Sequence, residues 1–181
     1  MRAREALLGI IALVAPLACF GEAPQSAQGS GDTSGGGTGM CEPTETPMPA
    51  VACPAICNGG CDENECQILC RPDSSCAGMT LTCPDEFACD IDCEGDGVCA
   101  GLTANCPTDF ACSLSCGGAM GCSDAELRCG FGECAIECGA DPTACAGASV
   151  RCGPGACTAE CAGEATPYLD RCDDACACEP C

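Results

Sequence analysis

The sequence contains no histidine, no lysine and no tryptophan, and only one tyrosine and four phenylalanines among 181 residues. The missing histidine removes the commonest general base and the commonest imidazole metal ligand, and the missing lysine removes a second base. A chain so poor in aromatics cannot build a core of large side chains, so little of its stability comes from bulky burial. Positive charge is also scarce. The only bases are Arg2, Arg4, Arg71, Arg128, Arg151 and Arg171, set against 27 acidic residues, for a net charge of −21. A surface this acidic repels nucleic acid and anionic membranes. No nucleic-acid partner and no cofactor are expected. The acidity itself reads first as a solubility feature.

What replaces the missing core is cysteine, 27 residues of it, far beyond the ~8–10% that marks a disulfide scaffold. Cytosolic thiols are kept reduced, so this many point to an oxidising, extracytoplasmic compartment.

The chain reads in parts. Residues 1–18 form an export signal, with Arg2 and Arg4 ahead of an apolar stretch from Ala6 to Ala18. That stretch is too short to span a bilayer. It closes on Ala15-Pro16-Leu17-Ala18-Cys19, which resembles the lipobox of bacterial lipoproteins. The resemblance implies that Cys19 becomes the N-terminus and carries the lipid, which would be the contact with a membrane. Phe20 stands where that family's inner-membrane retention signal has Asp, so the resemblance implies the outer membrane or cell surface. The alternative is a secretory signal cut later, after Gly21-Glu22-Ala23, giving a periplasmic or secreted protein. With Cys19 set aside, 26 cysteines remain, an even number that can pair completely. Residues 19–40 then make the attachment site and a disordered Gly/Ser linker, with nothing to bury.

Residues 66–161 repeat. Cys66, Cys89, Cys112, Cys134 and Cys157 follow at steps of 23, 23, 22 and 23 residues. Each is answered after three intervening residues by Cys70, Cys93, Cys116, Cys138 or Cys161. Cys76-Ala77-Gly78, Cys99-Ala100-Gly101 and Cys145-Ala146-Gly147 share one slot. Inside each repeat Ile68, Ile91, Leu114, Ile136 and Ala159 lie midway between two cysteines, flanked mostly by polar residues. That period of two predicts a strand with one buried face. A second strand follows, with Met79-Leu81-Cys83, Leu102-Ala104-Cys106, Ala125-Leu127-Cys129 and Ala148-Val150-Cys152 directed inward. Two short strands per ~23 residues predict an all-β, disulfide-rich fold, a short β-solenoid. Residues 41–65 and 162–181 read as irregular Cys-rich caps. The competing fold is a string of irregular disulfide knots.

Connectivity does not follow from sequence. One scheme closes corners within each turn: Cys70–Cys76, Cys93–Cys99, Cys116–Cys122 and Cys138–Cys145 on one side, with Cys83–Cys89, Cys106–Cys112, Cys129–Cys134 and Cys152–Cys157 on the other. The rival is a ladder joining like cysteines of successive turns. The corner scheme is preferred because five-membered ladders cannot pair fully.

Candidate chemistry is sparse. Asp90, Asp92, Glu94 and Asp96, with Gly95 in sixth place, resemble part of an EF-hand calcium loop, but Gly101 stands where the bidentate Glu belongs. Thiolate metal storage would favour Cys-x-Cys, found here at Cys176-Ala177-Cys178 alone. Cys178 and Cys181 form a CxxC that fits a redox pair or a cap. Thr80-Leu81-Thr82 resembles the Thr-x-Thr rungs of small antifreeze solenoids, an array that Glu126, Arg128 and Arg151 break. The chain resembles the Cys-repeat lipoproteins of Gram-negative bacteria in signal, tether and repeat. No catalytic residue is assigned. The expected role is structural, adhesive or binding, with a protein or polysaccharide partner; metal binding and a small exported carbohydrate-active enzyme are the alternatives.

Overall fold

The structure is a computed structural model and describes residues 41–62 and 64–181. The expected signal, Cys19 and the Gly/Ser linker lie outside the described residues.

Each repeat makes one turn of a two-sided coil. A long strand is followed by a corner, a three-residue strand and a second corner. The long strands are β2 (Glu65–Cys70), β4 (Ala88–Cys93), β6 (Cys112–Cys116), β8 (Cys134–Cys138) and β10 (Ala156–Cys161). The short ones are β3 (Thr80–Thr82), β5 (Thr103–Asn105), β7 (Glu126–Arg128), β9 (Ser149–Arg151) and β11 (Tyr168–Asp170). With β1 (Gly60–Cys61) and β12 (Ala177–Glu179), they form a seven-stranded sheet, β1-β2-β4-β6-β8-β10-β12, and a five-stranded sheet, β11-β9-β7-β5-β3. All pairings are parallel except β1 with β2. This is a β-solenoid of about five turns.

The register puts like on like. Ile91 pairs with Ile68 on one side and Leu114 on the other, and Leu114 with Ile136. In the second sheet Leu127 lies between Ala104 and Val150. These two inward columns face each other as the core. Ile91, Leu114, Leu102, Leu127 and Val150 are fully buried, and among the described residues no polar or charged side chain is. The alternation of buried and half-exposed residues in β2 and β4 is what period two requires. The corners stack as well. The amides of Cys76, Cys99 and Cys122 donate to the carbonyls of Val98, Gly121 and Ala144, each at 2.8 Å. Backbone polar groups in the bends are therefore satisfied by the next turn rather than left orphaned.

Thirteen disulfides take up every cysteine from Cys41 onward. Eight of them close corners: 70–76, 93–99, 116–122 and 138–145 on one side, and 83–89, 106–112, 129–134 and 152–157 on the other. Their Cα separations lie between 5.5 and 6.0 Å, inside the range a bridge requires. Among the described residues no bridge joins like positions of successive turns, so the ladder is not formed.

The ends are closed differently. At the first turn the Asn58 side chain donates to the Leu69 carbonyl at 2.8 Å and accepts from the Leu69 amide at 2.6 Å. It replaces a strand residue at the sheet edge, where open backbone would invite pairing with another chain. Leu69, which breaks the polar parity of its strand, is half-buried under this cap, with Gly59 close against it. At the other end β11 and β12 extend both sheets by one strand, tied by Cys161–Cys181 and Cys172–Cys178. One inward assignment fails. Met79 is 47% exposed, whereas Leu102 in the same slot of the next turn is fully buried. Met79 precedes β3, the end strand of its sheet, and no earlier turn stacks over it.

Candidate functional site

The outer face of the seven-stranded sheet carries two columns of mostly polar side chains. One runs Gln67, Asp90, Ser113, Ala135, Thr158; the other runs Leu69, Asp92, Ser115, Glu137, Glu160. The second column borders an open groove of about 500 Å³, lined by Asp92, Ser115, Glu137, Glu160 and the backbone at Gly117 and Gly139. Burial lifts the Asp92 carboxyl above its ordinary range; Glu94 and Asp90 add to this and Arg71 opposes it. Glu65, beside the same face, is raised by burial and by Asp90 and Asp62.

The four residues that resemble a calcium loop go separate ways. Asp90 and Asp92 stand on the outer face of β4. Asp90 accepts a 2.6 Å hydrogen bond from the Ser113 hydroxyl, Glu94 pairs with Arg71, and Asp96 accepts from the Ala119 amide at 2.9 Å. Asp85 likewise accepts from both the amide and the hydroxyl of Thr108, each at 3.0 Å. Each of these contacts joins one turn to the next. The carboxylates thus staple rungs together, a role not anticipated from composition. A signal for it existed: aligning the repeats puts Asp85 over Thr108 and Asp90 over Ser113.

Sulfur is the other concentrated chemistry. Cys70, Cys93 and Cys99 place their sulfurs within 4.8 Å of one another, as do Cys83, Cys89 and Cys112. All are disulfide-bonded, and a disulfide sulfur is not the thiolate that zinc or copper requires. Cys178 and Cys181 do not bond each other but Cys172 and Cys161, so the CxxC is part of the end closure.

On the five-stranded sheet the outer face changes character along the stack. It begins with Thr80, Thr82, Thr103 and Asn105, then turns to Glu126, Arg128, Ser149 and Arg151. Asn105 donates to the Leu81 carbonyl at 3.1 Å, and Arg128 grips Glu126 through two nitrogens at 2.9 and 2.8 Å. At the adjoining corner a groove of about 490 Å³ is lined by Gly130, Phe131, Arg151, Gly153, Pro154, Arg171 and Asp174, with Cys129 and Cys152 behind them. Sequence reasoning did not single this groove out, because its residues come from corners of different turns.

Compared with protein-family models, with curated proteins and with solved structures, the chain matches none.

Proposed function

We propose that this chain is an exported, lipid-anchored, non-enzymatic protein of the outer membrane or cell surface. Its stapled solenoid serves a structural, adhesive or binding role toward a protein or polysaccharide partner. The observation that carries the reading is the pairing of cysteines. Thirteen disulfides account for 26 of 27 cysteines and leave Cys19, the residue at which the lipobox resemblance puts the lipid. A bridge density of this order belongs to an oxidising compartment. The Gly- and Ser-rich composition between Cys19 and Cys41 suits a linker between a lipid and a folded part. A solenoid offers long faces and few clefts, which suits binding by surface. The absence of histidine and lysine from the whole chain supports a non-catalytic role.

Intact mass spectrometry of the exported protein, before and after reduction, tests this directly. The expected species carries acyl chains on Cys19, lacks residues 1–18 and gains two hydrogens per bridge for thirteen bridges. A Cys19→Ser variant should leave the membrane fraction. An unacylated N-terminus at or beyond Ala23, or retention of Cys19→Ser in the membrane, would refute the anchor.

A further inference from the structure

Four arginines lie among the described residues, and two are neutralised in place: Arg71 by Glu94 and Arg128 by Glu126. The other two, Arg151 and Arg171, make no ion pair there, and both line the corner groove. Arg151 lies near enough to Glu126 to help lower that carboxyl, yet makes no salt bridge to it, and the reason can be read from the repeat. Glu126-Leu127-Arg128 and Ser149-Val150-Arg151 occupy the same columns of adjacent strands. Where β7 has Glu126 to take the guanidinium, β9 has Ser149. Asp170 pairs with Arg151 in the next register, yet makes no salt bridge to it. Arg171 follows β11 with φ 63°, a left-handed conformation an arginine seldom adopts. Beside them Phe131 is 62% exposed. Gly130 and Gly153, packed against the turn below too closely to carry a side chain, form part of the groove's lining. Asp174 is the one acid on its wall.

In a chain of net charge −21, two guanidinium groups without a salt bridge that line one groove beside an exposed aromatic ring form a site for an anion with a flat apolar face. We propose that the groove binds an acidic polysaccharide. A uronate carboxylate lies between Arg151 and Arg171, and the sugar's C–H face lies on Phe131. Guanidinium forks match a carboxylate in two parallel hydrogen bonds. The groove is open rather than enclosed, so it admits part of a chain longer than itself. A polyglutamate chain would satisfy the arginines equally but has no ring to place on Phe131.

The proposal rests on the binding role argued above, and it is tested apart from the anchor. The naturally processed full chain is titrated calorimetrically at low salt with oligogalacturonate, with neutral dextran and with polyglutamate. Oligogalacturonate should bind and weaken with added salt. Dextran should not bind, and polyglutamate should bind at least about tenfold more weakly. Arg151→Gln and Arg171→Gln should each cost about tenfold or more, Phe131→Ala should weaken binding, and Arg71→Gln, a neutralised arginine outside the groove, should not. No binding of oligogalacturonate, equal binding of polyglutamate, or indifference to the double arginine variant would overturn the proposal. Any of these in a protein whose mass shows the lipid and thirteen bridges removes the ligand and leaves the anchored structural role standing.

Discussion

Cys41 is bonded to Cys176 across 135 residues, with their Cα atoms 5.2 Å apart. The segment after Cys41 then runs back along the stack. Thr44 accepts a hydrogen bond from the Glu133 amide at 3.0 Å, and Cys57 joins Cys66 in the first turn. A single strap thus spans the turns from last to first. Closing so long a loop restricts the unfolded chain more than a corner bridge does, by up to about 5 kcal/mol in the chain-entropy picture, and less once the other bridges shorten the loop. Cys41→Ser with Cys176→Ser should keep the β-sheet circular-dichroism signal. It should lower the guanidinium denaturation midpoint and expose residues 41–50 to protease. An unchanged midpoint with no new cleavage would show that the strap holds nothing.

The corner bridges should behave as coupled neighbours. In a Cys99→Ser variant the freed Cys93 thiolate lies within 4.8 Å of the Cys70 sulfur. Its attack forms Cys70–Cys93, breaks Cys70–Cys76 and releases Cys76 as the thiolate. Peptide mapping at mildly alkaline pH should find the free thiol divided between Cys93 and Cys76. A thiol confined to Cys93 contradicts this. The double variant Cys93→Ala with Cys99→Ala has no attacking group and should retain Cys70–Cys76, with a loss of about 2–3 kcal/mol for the missing six-residue loop.

Two glycines separate conformational need from close approach. Gly101 has φ +67° and nothing nearer than 3.9 Å to an added Cβ. Gly101→Ala should cost about 1–2 kcal/mol for the left-handed backbone alone. A Cβ on Gly153 would overlap the carbonyl oxygen of Gly130 in the turn below. Gly153→Ala must therefore push two rungs apart and should cost about 3 kcal/mol or more. Denaturation midpoints measure both, and equal costs would mean that rung contact at Gly153 is unimportant.

Mild acid should stabilise the fold. Glu65 and Asp92 have carboxyls raised in the folded state. Their contribution is complete below the ordinary carboxylate pKa and is lost as pH rises through the raised value. Glu126, lowered mainly by hydrogen bonds from Arg128, and Asp141, lowered by hydrogen bonds from Thr143, act in the opposite sense. What they contribute is present above the ordinary pKa and is lost as pH falls through the lowered one. The denaturation midpoint should rise as pH falls from neutral toward the ordinary carboxylate range and fall again below that range. All four groups are substantially exposed, so the changes are shallow. A steady fall from pH 7 to 5 would contradict the crowding of acids on this face.

Much of this architecture is legible in the sequence because a solenoid repeats its instructions. The 23-residue step of Cys66, Cys89 and Cys112 sets the rung, and the parity of Ile68, Ile91 and Leu114 sets the inward face. The gaps after Cys70 and Cys83 match the corners. What escaped has no period. Asn58 imitates a strand by a side chain, Cys41 finds Cys176 through a segment outside the repeat, and Met79 is exposed only because the stack ends there. The groove at Arg151 and Arg171 escaped for another reason. It depends on which guanidinium lacks a carboxylate, and that needs both sheet register and corner placement.

The central claim is that inward-facing, covalently coupled sulfurs take the place of bulky packing. Far-UV circular dichroism of the exported protein before and after complete reduction and alkylation tests it most directly. The account predicts loss of the β-sheet band, because Ile91, Leu114 and their small neighbours cannot hold the rungs together alone. A band that survives with all 26 cysteines from Cys41 onward alkylated would contradict it.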